Sequence, residues 1–330
     1  MIIHIQKKAN LKKLQDFYQA IAIEGKDFNI LVTPSSIKEA SSDHSGDILE
    51  VFPMDSDIQL ASRTYHNETR SIQIAPDLTI GGQSGNTLMI SGPCSVESEE
   101  QINTSAQFLK DIGVKVLRAG CYKPRTSPYT FQGLGKKGLM LLAKMRDKYG
   151  LKIITEVKDA THIEDVIEFS DIIQVGAKAM YDHGILKACS QTQKPILIKR
   201  GFGSTLQEFV QSAEFVLSGG NSNVMLCERG IRTFETKTRF TLDLCGVAYL
   251  KEHTNLPIIL DPSHAMGYRY GVADLTRACV AMGVDGLLIE THPNPAVALS
   301  DASQQLDFEQ FRELYQSILP VAASVGRKMV

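Results

Sequence analysis

The chain has 330 residues, a formal net charge of −2 and 22% charged residues, a balance that excludes a broadly basic surface for nucleic acid or for membrane lipid. No run approaches the ~18 apolar residues of a membrane helix, and the opening MIIHIQKKAN lacks the basic start, apolar stretch and small-residue cleavage site of a secretion signal. Cysteines at 94, 121, 189, 227, 245 and 279 are scattered without a C-x-x-C pair, which fits a reduced cytoplasm better than a disulfide scaffold.

Residues 1–70 read as a small α+β domain, ferredoxin-like in outline. IIHIQ predicts a strand, the spacing of Leu11, Leu14, Phe17 and Ile21 predicts a helix, and FNILVTP and DILEVF predict two further strands. The polar stretch SRTYHNETRS (62–71) reads as a flexible connection. SIQIAPDLTIGGQSGN then predicts a hairpin that opens a second domain over 71–330.

From residue 86 the texture alternates. Short β-branched runs occur at LMIS, VKVLR, LKIITE, DIIQVG, PILIKR, NVMLCE, PIILDP and GLLIE. Between most of them lie stretches with helical apolar spacing. One runs Leu206, Phe209, Val210, Ala213, Val216, Leu217, opened by Thr205 and Glu208 as a capping box; another is opened by Ser98 and Gln101. Buried parallel strands separated by helices, eight times over, predict a (β/α)8 TIM barrel. An open doubly wound sheet would not need eight evenly spaced strands.

Barrel chemistry takes place at the carboxyl ends of the strands. In order, those ends carry Cys94, Arg118, Glu156, Lys178, Lys199 with Arg200, Glu228 with Arg229, Asp261 with His264, and Glu290 with His292, and Asp301 follows in the last loop. Lys123, Arg125 and Thr126 sit in YKPRTSPY, where Pro124 and Pro128 stiffen the chain. Arg118, Lys123, Arg125, Lys178, Lys199 and Arg229 crowd one mouth, and such a set calls for a phosphorylated substrate unless each cation finds its own carboxylate. Cys94, His264, Glu290 and Asp301 form a mixed donor set suited to a borderline divalent metal, the alternative being a small buried cysteine and an ordinary loop histidine. GLGKKG (133–138) matches a dinucleotide fingerprint in letters only, because no strand precedes it.

The segments GPCSVES, KPRTSPYTFQGLG, IKRGF, LCERGIRTFE, DPSH and the ALSD after ETHPNP together resemble the 3-deoxy-D-arabino-heptulosonate 7-phosphate (DAHP) synthases. The resemblance is to the type I branch with a small N-terminal regulatory domain. It implies a metal-dependent condensation of phosphoenolpyruvate with erythrose 4-phosphate, giving DAHP and phosphate, the first step of the shikimate route to aromatic amino acids. It implies metal ligation by Cys94, His264, Glu290 and Asp301, with Mn²⁺ the first choice and Fe²⁺, Co²⁺ or Zn²⁺ as alternatives. It also implies that Arg118, Lys123, Lys199 and Arg229 hold phosphoenolpyruvate, and that Arg125 and Thr126 hold the phosphate of the aldehyde. Lys178 stands where the family carries an arginine, and Ala265 to Tyr268 replace its Gly-rich continuation after DPSH. Lys123 and His264 are the candidate proton carriers. The resemblance further implies a cytoplasmic homotetramer or homodimer and an aromatic amino acid as effector, the N-terminal domain closing over the barrel mouth. A sibling synthase acting on arabinose 5-phosphate is the nearest alternative, although that group carries Asn where this chain has Pro124; a non-catalytic sugar-phosphate sensor is the other.

Overall fold

A computed structural model describes residues 1–123 and 127–330. The N-terminal strand β1 (Ile2–Gln6) leads to helix α1 (Leu11–Tyr18), whose first turn is capped by the Asn10 side chain accepting from the Lys13 N–H. The helix stops because Gln19 turns left-handed, at φ 49°. Ile21 therefore lies outside the helix that its spacing predicts and begins β2 (Ile21–Glu24), a strand absent from the sequence reading. With β3 (Phe28–Val32) and β4 (Ile48–Phe52) it forms an antiparallel sheet of order β2-β3-β1-β4. That is the ferredoxin-like order, with a 3-10 turn at Ser42–His44 between β3 and β4. Strand alternation divides the sheet's two faces: Ile3, Ile5 and Leu31 pack with Leu14 and Tyr18 of α1, while Ile2 and Val32 join the core of the larger region.

The hairpin β5 (Ser71–Ala75) and β6 (Leu78–Gly81) comes next, and then the strands β7 (Asn86–Gly92), β8 (Val116–Arg118), β9 (Lys152–Val157), β10 (Ile172–Val175), β11 (Ile196–Lys199), β12 (Val224–Glu228), β13 (Ile258–Leu260) and β14 (Gly286–Glu290). Each pairs in parallel with the next and β14 pairs with β7, so the sheet is a closed eight-stranded barrel. Helices α2 (Glu99–Asp111), α3 (Lys136–Tyr149), α4 (Ile163–Phe169), α5 (His183–Ser190), α6 (Leu206–Ser218), α7 (Leu244–His253), α8 (Pro262–Met266), α9 (Arg269–Ala281) and α10 (Phe308–Ser324) fill the crossovers, and a short β15 (Lys328–Met329) adds to β7. The Thr205–Glu208 box forms reciprocally at α6. At α2 only half of it forms: Ser98 accepts from the Gln101 N–H, while the Gln101 side chain turns to Ser95 and Glu97.

The hairpin plugs the amino end of the barrel, where Ile72, Ile74, Leu78 and Ile80 pack against inward side chains such as Leu88, Ile90 and Ile154. The segment from Gln59 to Arg70 is tied to the barrel wall. Glu214 of α6 accepts the backbone N–H groups of Gln59 (2.7 Å), Leu60 (3.2 Å) and Ala61 (2.8 Å). Asn255 donates to the carbonyls of Leu60 and Ser62, Arg70 to that of Leu60 and Arg63 to that of Lys251. The polar connection is thus bonded to the barrel at both its ends, through Ser62 and Arg63 and through Arg70.

Candidate active site

The first site residue depends on a tight crossing. Gly92 ends β7 at φ 142°, and a Cβ there would come 2.2 Å from the Arg118 carbonyl oxygen, so only glycine lets β7 run so close to β8. The chain then delivers Cys94 to the barrel interior, fully buried. Its backbone N–H donates to Gln305 Oε1 (2.9 Å), and its Sγ lies 3.2 Å from Asp301 Oδ2 and 3.0 Å from Lys123 Nζ. Burial, with Glu290 adding to it, pushes the thiol up to about 11, although Lys123 works the other way. A cation other than Lys123 is needed to hold it as thiolate at neutral pH.

Asp261 caps α8 by accepting the His264 backbone N–H (3.0 Å), which fixes the imidazole beside its own carboxylate. His264 Nδ1 lies 2.7 Å from Asp261 Oδ2, and Nε2 lies 3.5 Å from Glu290 Oε1. Burial lowers the imidazole's affinity for a proton, against the pull of Asp261. Asp261 is held well below the carboxylate range despite its burial, because His264 and Lys199 (2.5 Å) face it. Burial likewise works against the Glu290 charge, but His264 and Arg118 lower its pKa, the latter through a 2.5 Å ion pair.

Cys94 Sγ and one oxygen each of Glu290 and Asp301 lie within 4.8 Å of one another. One thiolate and two carboxylates, all largely shielded from water, fit a divalent ion of borderline softness. His264, the fourth residue expected here, stands outside that trio but beside Glu290. With Asp261 turned to Nδ1, the Nε2 lone pair is the one left for a metal.

The cations divide. Arg118 and Lys199 are paired with Glu290 and Asp261, as the carboxylate-by-carboxylate alternative has it. Burial opposes the Arg118 charge, yet Glu290 and its neighbours hold its pKa raised. Arg229 Nη1, like Arg118 Nε, is buried without a hydrogen-bond partner among the described residues, and the Arg229 guanidinium stacks over Phe240 at 4.3 Å. A buried donor without an acceptor is costly, and an incoming anion is its natural complement. Arg229, Lys123, Lys178, Lys199, His264 and Asp301 all line one cavity of about 250 Å³ at the barrel mouth, together with Glu156, Arg239, Phe202 and Phe240. Glu156 reaches it because β10 is followed by Gly176, whose missing Cβ would meet the carboxylate at 2.4 Å.

Not every strand-end charge belongs to the cavity. Arg200 is spent on Glu228 (2.9 Å) and Asp243 (2.8 Å), and His292 on Glu97 (3.3 Å). Arg125 and Thr126, expected at the aldehyde's phosphate, lie outside the described residues. Arg239, Gln304 and Gln305, outside the set expected from the strand ends, touch Asp301, Glu290 and Cys94 in turn. The two glutamines carry no charge to betray a role.

Fold and site together define a (β/α)8-barrel enzyme whose mouth sets cations against a buried thiol–carboxylate cluster. The profile of the DAHP synthetase I family matches residues 65–322. The phospho-2-dehydro-3-deoxyheptonate aldolase of Thermotoga maritima is 47% identical over 271 residues, 82% of this chain and 79% of that protein. The 2-dehydro-3-deoxyphosphooctonate aldolase of Bordetella petrii is 32% identical over 70% of this chain and 89% of its own. A crystal structure of the Thermotoga maritima enzyme matches with a TM-score of 0.81 at 40% identity, covering 100% of this chain and 99% of that one. A truncated form from the same organism matches at 0.76 and 44% identity, covering 82% of this chain and 98% of its own. The chain belongs to the DAHP synthetase I family.

Proposed function

We propose that the protein condenses phosphoenolpyruvate with erythrose 4-phosphate in a metal-dependent reaction, forming DAHP and inorganic phosphate and opening the route to aromatic amino acids. The observation that carries this reading is one cavity lined by Arg229, Lys123, Lys178 and Lys199 together with His264 and Asp301, the last a member of the Cys94–Glu290–Asp301 cluster. The site residues are ascribed from that geometry and from the motifs. Arg118, Lys123, Lys199 and Arg229 hold the carboxylate and phosphate of phosphoenolpyruvate, with Lys178 at the phosphate as a point charge. Arg125 and Thr126 hold the aldehyde's phosphate. Fixing two polyanions in one small space converts a bimolecular encounter into a near-attack arrangement.

Cys94, Glu290 and Asp301, joined by His264, would hold a divalent ion, Mn²⁺ by preference. When bound, it supplies Lewis-acid polarisation of a carbonyl oxygen. In the reaction C3 of phosphoenolpyruvate bonds to the aldehyde carbon, water adds at C2, and the C2–O bond to phosphate breaks. With His264 given to the ion, Lys123 is the proton carrier, and the cations around the phosphate stabilise its charge as it leaves. Phosphate release from phosphoenolpyruvate with each aldehyde in turn tests the reading. Release with erythrose 4-phosphate supports it, release only with arabinose 5-phosphate moves the chain to the sibling activity, and none with either leaves a sensor.

Residues 1–70 form, on this reading, a regulatory domain for an aromatic amino acid in a homotetramer or homodimer. A cavity of about 540 Å³ between the antiparallel sheet and α6, lined by Ile21, Val32, Gln59, Glu214 and Phe215, supports a ligand there. The contact with α6 favours communication through that helix over closure across the mouth. Tyrosine or phenylalanine then inhibits the intact protein, while a chain beginning at residue 72 stays active and insensitive. Indifference of the intact protein to all aromatic amino acids makes the domain structural.

A further inference from the structure

The loop after Asp301 carries two consecutive buried glutamines, and each is bonded to a different member of the donor cluster. Gln304 Nε2 donates to Glu290 Oε2 (2.6 Å), while its Oε1 accepts from Arg239 Nη1 (2.8 Å). Gln305 Oε1 accepts the Cys94 backbone N–H (2.9 Å), and its Nε2 donates back to the Ser300 carbonyl (2.8 Å). Arg239 also faces Asp301 Oδ1 at 3.5 Å. The three donors come from three separate segments: the loop after β7, the end of β14 and the loop beyond it. One short stretch of chain registers all of them.

We infer that Gln304, supported by Arg239 and Gln305, is a positioning residue that orients Glu290 for metal binding; this rests on the metal reading above. A carboxylate can rotate about its last bond, and each rotation moves both oxygens. Gln304 holds Oε2, so Oε1 is left facing His264 and Arg118. A neutral amide does this without adding positive charge beside a cation site, which a lysine or arginine in its place would do. Arg239 carries the charge instead one bond further out, and it lines the cavity that receives substrate. Such outer partners typically contribute about 10–100-fold to metal affinity. A purely structural role, in which the glutamine only satisfies buried polar atoms of the loop, would appear as lost stability and leave affinity unchanged.

The test is the Mn²⁺ dissociation constant, measured by competition with a chelating dye, alongside the melting temperature of the metal-free protein. Gln304→Met keeps the length and removes the donor; its constant should rise about 10–100-fold with the metal-free melting temperature close to wild type. Gln304→Glu should weaken binding further, by setting a second carboxylate against Glu290. Should both fail to fold, Arg239→Met on a half-exposed side chain should raise the constant roughly 2–10-fold, the share of one hydrogen bond. An unchanged constant in folded Gln304→Met, or in Arg239→Met where that arm is needed, overturns the inference alone. A wild-type protein that binds no divalent ion removes the metal reading and this inference with it.

Discussion

The two ends of the barrel are built by the same eight strands and could hardly differ more. The amino end is closed by Ile72, Ile74, Leu78 and Ile80 of the hairpin, packed on inward aliphatic side chains. At the carboxyl end Cys94, Arg118, Lys199, Asp261 and Glu290 are equally shielded from water, but there Arg118 is ion-paired with Glu290 and Lys199 with Asp261. Burial at the first end is favourable by itself, at about 25 cal/mol per Å² of apolar surface. Burial at the second is costly unless each charge has a counter-charge. Stability and chemistry are therefore assigned to opposite ends, and substitutions should separate them.

The largest effect should come from the mouth. Removing divalent ions with a chelator should abolish turnover and added Mn²⁺ should restore it, with the hairpin end untouched; full activity in rigorously metal-free protein would sink the metal site. Arg229→Ala should come next, raising the KM for phosphoenolpyruvate roughly 10–100-fold through loss of a charged hydrogen bond. At the other end, Leu78→Ala should lower unfolding stability by about 2–5 kcal/mol and leave that KM alone, as denaturant titration and initial rates would show. A KM that moved with Leu78 would mean that the two ends are coupled.

Lys178 sharpens the comparison within the mouth. Lys178→Ala should raise the KM for phosphoenolpyruvate, whereas Lys178→Arg should be tolerated because charge is retained; identical kinetics in the alanine variant would place this lysine outside the substrate's reach. The smallest effect belongs to His4 in the N-terminal sheet, stacked on Phe28 at 4.1 Å with its Nε2 3.0 Å from the Tyr65 hydroxyl. Burial lowers its proton affinity, and Glu50 only partly offsets this. Its folded pKa is therefore below the unfolded value of about 6.5. The contribution is intact above that value and is lost as pH falls toward the lowered one. The melting temperature should drop more on acidification in wild type than in His4→Phe, and equal slopes would remove His4 from the account.

How much of this was legible in the sequence follows the same division. Buried parallel strands announce themselves as continuous β-branched runs, so all eight appear where LMIS, VKVLR and the others place them. Thr205 and Glu208 mark the start of α6 because the capping box is a local device. β2 escaped because a helical spacing runs on through Ile21, and only the left-handed Gln19 shows where the helix ends. At the site, charged and thiol side chains could be read from strand ends. Their pairing could not: Arg118 with Glu290 and Lys199 with Asp261 are contacts between strands far apart in the chain. Gln304 and Gln305 were invisible because amides in a loop have no pattern until their partners are known.

The grip of Glu214 on three successive N–H groups has a consequence for exchange with solvent. Gln59, Leu60 and Ala61 lie between regular elements, where amide protons ordinarily leave within the time of local fluctuation. Here each is bonded to a carboxylate on a barrel helix. In deuterated water these amides should persist like those of a strand, and they should be released only when the sheet region parts from α6. Their exchange rate is thus a direct clock for how often the N-terminal region lets go.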